Sequence, residues 1–589
     1  MKSHPWTVGA LLALFTVVTY WGALRNSFVM DDQAQILLNP YVVNPHLWTR
    51  IFTGSVWSFN SASKNGSFYR PLQILYYWIV YRIAGPNPGV YHLIQILVYA
   101  ATAWLVYRLG CEILEHESAA LLGAALWILH PLHVEPVTWI AGMADVGCGY
   151  FYLAALFLFV RAEKTESPGV RPHIGAALIY LPSLFFKEMA LSFPFITIAY
   201  WLFLAPPSPK FKARVWMERM FRWSPYFCAV ATYIVIRVVL LGSFGGSNPL
   251  WKVSPHAMLS AIALLGEHAR LFLWPVGLNP FRAFIAESAL RSPWPFVGML
   301  VLPAALWFRK RDPQMSFLLA WWPVTLLPCL DINQLSFPQS ADRFSYLPSV
   351  GLCLAISLAV IVRLPSRIAG ERLVRVVAPA LGVVMVFWTF LTIMYIPKWR
   401  TESALEDYSM PLAPDSPELH LVQGDILYFR MGDMDGAGRE YRTAIRLNQE
   451  ATLKIPQMEY AAYIGLGTIA QRKGQFQQAF DSYQMATRLL PGSSPAYDYL
   501  GALFFPIHDY AMAAPNFVRA VAANPQDISA RIYLGSCWMK LGKFREAAEE
   551  FHAARIVDPT LKVAYMSEAR ALDALGEGDA AAKVRASFH

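Results

Sequence analysis

Residues 7–32 read TVGALLALFTVVTYWGALRNSFVMDD, and the step from an uncharged apolar run to two adjacent aspartates decides what kind of protein this is. Crossing the ~30 Å hydrocarbon core of a bilayer takes roughly 20 apolar residues in a helix. The run at 7–24 is close to that length, and no small-residue cleavage site follows it, so it reads as a retained first helix. Comparable runs recur near 91–109, 119–136, 138–160, 172–186, 189–205, 224–242, 294–308, 316–330, 345–363 and 374–396. Two further stretches are ambiguous. Residues 71–84 are short and interrupted by Arg82, and residues 257–275 carry Glu267, His268 and Arg270.

Composition agrees. Of the 589 residues, 56% are hydrophobic and only 15% charged, with 20 Trp, which is more apolar surface than a soluble chain can hide. Charge then divides the chain near residue 400. Before it stand 31 Lys and Arg against 17 Asp and Glu; after it, 18 against 23. The first part is built for lipid and the second for water. The basic excess sits in loops between apolar runs, so it implies no nucleic-acid partner. Cys111, Cys148, Cys228, Cys329, Cys353 and Cys537 form no Cys-x-x-Cys pair and read as packing residues.

Loop charge also orients the chain, because Lys and Arg concentrate on the cytoplasmic side. With eleven crossings and a cytoplasmic N-terminus, Arg161–Arg171, Lys210–Arg222, Arg309–Arg311 and Arg363–Arg375 all fall inside. Residues 25–90, 130–138, 187–188, 243–293 and 331–344 then share the outer face, as does everything after 400. The expected domains are a polytopic membrane domain at 1–400 with a large first outer loop at 25–90, a linker at 401–416, and a soluble region at 417–589.

That soluble region repeats every 34 residues. Leu466-Gly467, Leu500-Gly501 and Leu534-Gly535 keep the spacing, as do Pro491, Pro525 and Pro559, Tyr483, Phe517 and Phe551, and Ala486, Ala520 and Ala554. This is the tetratricopeptide (TPR) helix–turn–helix pattern, an α-solenoid whose groove takes peptides or partner proteins. A degenerate unit holds Gly424, Tyr428, Tyr441 and Ala444, and residues 562–586 read as a capping helix. The fold class is therefore all-α.

The residues that are costly in a membrane cluster on the outer segments. Asp31 and Asp32 repel one another, so one carboxyl should be hard to ionise or a cation should sit nearby; they read as a general base, metal ligands, or solvated loop acids. Arg70 binds a phosphate or snorkels. His92 heads an apolar helix. His130-Pro131-Leu132-His133-Val134-Glu135-Pro136 forces two imidazoles and a carboxylate into one turn, but the prolines spoil zinc geometry, leaving hydroxyl recognition or turn structure. Asp145 lies partway into a crossing helix, and Lys187-Glu188 reads as a neutralised pair. Arg237 needs an anionic partner, either an acid or a lipid phosphate. Asp342-Arg343 opens a charged aromatic turn that includes Tyr346.

As a set, Asp31-Asp32, Tyr69-Arg70-Pro71, His92, His130-Pro131-x-His133-x-Glu135, Lys187-Glu188 and Arg343 before Tyr346-Leu347-Pro348-Ser349 resemble the transmembrane and tetratricopeptide-repeat-containing O-mannosyltransferases of the GT-C glycosyltransferase superfamily. The resemblance implies a GT-C-like membrane domain. It also implies transfer of a hexose, typically mannose, from a polyprenyl-phosphate carrier to a protein hydroxyl on the non-cytoplasmic face. By position, one aspartate of the pair, with a preference for Asp32, would deprotonate the acceptor, and the other would orient it or hold a divalent cation. Arg237, Arg343 and Lys187 would neutralise the leaving phosphate, while His130, His133 and Glu135 shape the pocket. Two departures stand out: Gly142-Met143-Ala144-Asp145 where relatives show Gly-Arg-x-Asp, and Asp342-Arg343 where they prefer Glu-Arg. The implied partners are the lipid-linked sugar, membrane lipids, and an acceptor protein in the TPR groove. The implied site is a bacterial inner membrane with a periplasmic TPR region, or an ER membrane with a lumenal one. A lipid-linked-sugar flippase would show internal pseudo-symmetry, which residues 1–400 lack, and a TPR scaffold would need only one or two anchoring helices.

Overall fold

A backbone shut away from water must satisfy its own N–H and C=O groups, and long apolar runs do so as helices. The structure, a computed structural model, describes residues 5–59, 68–165, 169–205, 213–241, 255–282, 289–330, 340–364, 371–451 and 454–588. Lys210, Lys212 and Arg367, expected in inner loops, lie outside the described residues. Among the described residues every regular element is helical. The chain divides into two compact units, Met1–Val56 with Ser67–Pro414, and Trp57–Gly66 with Asp415–His589.

In the first unit, Trp6–Arg25, Pro88–Leu114, Ile140–Glu163, Met217–Leu241 and Val376–Trp399 are long and apolar enough to cross a membrane. Glu117–Leu129 and Pro131–Thr138 would together make a sixth, bent by 57°. By length and composition this is five or six described spans, where eleven crossings were expected. Several apolar runs continue through turns. The 345–363 run, for example, opens in a 3-10 turn and yields a regular helix only over Ser349–Leu358. Val170–Phe186, Glu188–Phe203, Trp294–Phe308 and Ser349–Arg363 are shorter apolar helices of 10–17 residues. Both ambiguous stretches are helical, over Pro71–Ala84 and Pro255–Leu273.

The cysteines are free, and Cys228 is exposed rather than packed inside. Of the segment 401–416, expected as a linker, the residues up to Pro414 belong to the first unit and include the helix Glu402–Ser409, capped by the Thr401 hydroxyl, with Leu405, Glu406 and Ser409 buried. Gln33 Nε2 donates to Glu402 Oε2 at 3.1 Å, tying the first outer loop to this segment.

The second unit stacks helix pairs: Pro456–Arg472 with Phe476–Leu489, Ser494–Phe504 with Tyr510–Ala523, and Ile528–Lys540 with Phe544–Val557. The repeated glycine exists for close approach. A Cβ at Gly467 would stand 2.4 Å from the Tyr483 ring, at Gly501 2.8 Å from Phe517, and at Gly535 2.7 Å from Phe551. The degenerate unit is Pro417–Ile426 with Met434–Glu450, its Tyr441 ring wedged against Gly424 and Gly465. Residues 562–586 form two helices rather than a single cap, Lys562–Ala574 and Gly578–Ala586, because Gly576 takes a left-handed φ of 84° between them. Replacing Gly467 by Ala forces the ring to shift and should cost about 1–3 kcal/mol. The check is the thermal unfolding of this unit within the full-length protein, where an unchanged transition would show the contact to be dispensable.

Candidate active site

The Asp31-Asp32 loop is shaped by its own backbone. Met30 sits at φ 51°, a conformation rare for a non-glycine residue, so the chain turns sharply just before the acids. A π-helical turn over Gln33–Leu37 follows, closed by Leu38 N–H donating to the Gln33 carbonyl at 3.0 Å. Such wide turns are frequent at functional sites.

The two aspartates part company there. Asp32 is fully buried; its Oδ2 accepts from the Val29 N–H at 3.1 Å and its Oδ1 from the Ala141 N–H at 2.7 Å. Burial raises its carboxyl well above the usual range, against the pull of those two donors. Asp32 is thus a clamp on the 136–142 turn. That turn closes only because residue 142 is glycine, since a Cβ there would lie 2.5 Å from the Pro136 carbonyl oxygen. Asp31 is only half-buried. Burial raises its carboxyl to about 6, with the charges of Arg343 and Arg70 pulling it down.

Around Asp31 the chain assembles alternating charges. Arg70, just before the helix Pro71–Ala84, binds Glu188 through Nε at 2.9 Å and Nη2 at 2.7 Å. Arg237 reaches the other Glu188 oxygen at 3.9 Å and the Tyr233 hydroxyl at 3.3 Å. Burial alone would raise the Glu188 carboxyl, but Arg70 and Arg237 outweigh it and hold it below the usual range. Lys187 donates to Asp145 at 2.6 Å, both buried, and its ammonium stands 5.1 Å from the Phe344 ring centre. Lys187 and Glu188 therefore do not neutralise each other, as their adjacency suggested. Lys187 is in extended backbone at φ −160°, ψ 145°, and each finds its own partner. Arg343 pairs with buried Glu135 through its guanidinium and donates its backbone N–H to the same carboxylate at 3.1 Å. Its guanidinium lies over the Trp139 ring at 5.1 Å.

The histidines and Tyr346 do not join this cluster; they pack in the aromatic core. His133 bonds the Tyr99 hydroxyl at 2.8 Å and the Ser349 hydroxyl at 2.9 Å, and its ring sits 5.3 Å from that of Tyr346. His130 Nε2 meets the Phe272 carbonyl at 3.0 Å, and its ring stacks on Phe272. His92 is fully buried at the head of Pro88–Leu114. Of the 130–136 motif, Glu135 is the member that meets Arg343 directly.

Among the described residues, no group of three or more His, Cys, Asp or Glu could hold a metal ion. Each Asp32 oxygen accepts one backbone N–H, from Val29 and from Ala141.

Sequence reasoning passed over several participants. Arg282 pairs with Asp342 at 2.9 Å and approaches Glu267 at 3.7 Å, bracing the segment that carries Arg343. Burial raises the Asp342 carboxyl to about 7, against Arg282. Gln95 donates to the Pro136 and Trp139 carbonyls at 2.5 and 2.8 Å, and Gln73 to the Ala141 carbonyl at 3.3 Å, so both strap the 136–142 turn. For Gln73 and Gln95 the available signal was an amide within an otherwise apolar helix.

Comparison with known proteins adds the family context. The tetratricopeptide-repeat family matches residues 426–494 and 507–561. The chain is 24% identical over 74% of its length to Protein O-mannosyl-transferase F38B6.6 of Caenorhabditis elegans, covering 62% of that protein. It is 21% identical over 92% of its length to human Protein O-mannosyl-transferase TMTC3, covering 63% of it. The chain thus spans less than two thirds of the length of these curated relatives. Among solved structures, the crystal structure of MamA protein aligns with 30% of this chain and 91% of its own, at 24% identity and a TM-score of 0.26. The homologues of this chain are TMTC-type protein O-mannosyltransferases, and its C-terminal region carries tetratricopeptide repeats.

Proposed function

We propose that the protein is a GT-C type glycosyltransferase moving a mannose-like hexose from a polyprenyl-phosphate carrier to a protein hydroxyl, on the non-cytoplasmic face, with the TPR unit recruiting the acceptor. The observation that carries this reading is Asp31: a half-buried carboxyl held near pKa 6 and acted on by Arg343 and Arg70. A base is most useful when its pKa lies near the working pH. Asp31 takes the proton of the acceptor hydroxyl as its oxygen attacks the anomeric carbon. The bond from that carbon to the phosphate oxygen breaks, and its electron pair leaves with the carrier phosphate. In-line attack inverts the anomeric centre.

The charge inventory suits this exchange. Arg70, Lys187, Arg237 and Arg343 stand against Asp31, Glu135, Asp145 and Glu188. When Asp31 is protonated the cluster loses one negative charge, at the moment the phosphate gains one. Fixed cations aimed at developing charge are commonly the largest contribution to catalysis. The apolar helices of the first unit suit a donor already dissolved in the bilayer, and the excess of basic residues in the expected inner loops supports the outward face.

The test is reconstitution of the full chain in liposomes with an acceptor peptide and either polyprenyl-phosphate mannose or a nucleotide-linked mannose. Transfer is expected from the lipid donor alone, falling about tenfold per pH unit below about pH 6, because Asp31 acts only when ionised. Equal transfer from the nucleotide donor, or a flat profile between pH 5 and 7, would count against the proposal.

A further inference from the structure

Behind Asp31 runs a buried chain of amides that no step above uses. Gln35 Nε2 reaches Asp31 Oδ2 at 3.5 Å. Gln73 Nε2 lies 3.1 Å from Gln35 Oε1, 2.7 Å from the Tyr77 hydroxyl and 3.3 Å from the Ala141 carbonyl oxygen. Gln35, Gln73 and Tyr77 are all buried, at 3%, 2% and 0% exposure, while Asp31 at the end of the chain is half-buried.

An amide can be turned end for end, and the neighbours decide which way it points. The Ala141 carbonyl can only accept, so Gln73 must turn its NH2 toward it. Its two amide hydrogens are shared among the Tyr77 hydroxyl oxygen, the Gln35 oxygen and the Ala141 carbonyl, and the Gln35 oxygen must face that NH2. That leaves the Gln35 NH2 facing Asp31, which accepts when ionised. Both ends of the chain demand the same sense, and every link donates toward the carboxylate. The same Gln73 amide grips the turn whose Ala141 N–H is held by Asp32, so one side chain joins the base loop to the turn between Glu135 and Asp145.

We propose that Gln35 and Gln73 are positioning residues: their directional amide chain aims the Asp31 carboxylate and favours its ionised form. This rests on the reading of Asp31 as the base. The charged and titratable groups around Asp31 are Arg343, Arg70, Asp32 and Tyr77. The two arginines pull its carboxyl down while burial pushes it up, so the amide adds to the arginines. At 3.5 Å the Gln35 donor is a long one, and its loss should read as a shift of roughly half to one pH unit.

The experiment is the pH profile of kcat for transfer from polyprenyl-phosphate mannose by the wild-type chain, Gln35→Met, Gln73→Met and Asp31→Asn. Losing the donor makes Asp31 easier to protonate. The acid limb of Gln35→Met should therefore move up by about half to one unit with KM for the lipid donor unchanged, and that of Gln73→Met should move less. A uniform fall in rate at all pH values, with the limb unmoved, would make the amides merely structural and overturn the proposal. If Asp31→Asn keeps the wild-type limb, the assignment of the base fails instead, and the two failures are told apart. Should Gln35→Met fail to assemble, Gln73→Met decides, since it removes the support of Gln35 without touching Asp31.

Discussion

Asp31→Asn should lower transfer by about 10²–10⁴-fold while the protein still extracts, elutes and melts like the wild type. That range is what a positioned general base contributes. The amide keeps the size of the carboxyl and can still accept from Gln35, but it cannot take up a proton. Asp31 is half-buried, so the fold does not depend on its charge. Asp32→Asn should do the reverse. Its NH2 would face one of the two backbone N–H groups now paired at 3.1 and 2.7 Å, leaving a buried donor without an acceptor. That costs about 1–3 kcal/mol and loosens the 136–142 turn. The measurement is single-turnover transfer alongside melting in detergent. Full activity in Asp31→Asn, or lost activity with unchanged melting only in Asp32→Asn, would reassign the base to Asp32.

Arg343→Ala should damage both assembly and chemistry, and a double substitution separates the two. Glu135 is fully buried and depends on the Arg343 guanidinium and backbone N–H. Removing one partner of a buried ion pair strands the other and costs about 3–5 kcal/mol, whereas replacing both by apolar groups is often neutral. Arg343→Ala should therefore express poorly and melt lower, and Arg343→Met with Glu135→Met should recover much of that stability. If Arg343 also meets the leaving phosphate, the recovered double variant should still transfer at least a hundredfold more slowly, comparable to losing one preorganised donor to a developing anion. Wild-type rates in the double variant would reduce the pair to a structural staple.

The repeat unit was legible almost to the residue because its information is local. A 34-residue period names the glycine that must be small and the ring that fills the space, as Gly467 and Tyr483 show. Helical character in the first unit was equally legible, whereas the ends of its helices were not. Hydropathy does not change where a run passes from helix into a 3-10 turn, so 345–363 and 119–136 read as single helices. The site was legible as an inventory: Asp31, Arg70, Glu135, Asp145, Lys187, Glu188, Arg237 and Arg343 were all singled out, and the structure gathers them from separate segments.

Who pairs with whom was not legible, because charge pairing in a low-dielectric interior is settled by which groups the packing brings within about 4 Å, whatever their spacing in the chain. Lys187 and Glu188 are neighbours that separate, while Arg343 and Glu135 lie 208 positions apart and meet. The acid pair shows the same division. Sequence alone established two carboxyls beside a membrane helix and the chemistry open to them. Only the tertiary structure told them apart, by bringing the Ala141 N–H onto Asp32 across 109 positions and leaving Asp31 half-buried under the charges of the arginines. A side chain's type is written in the chain, but its desolvation and its donors come from residues that folding alone brings near.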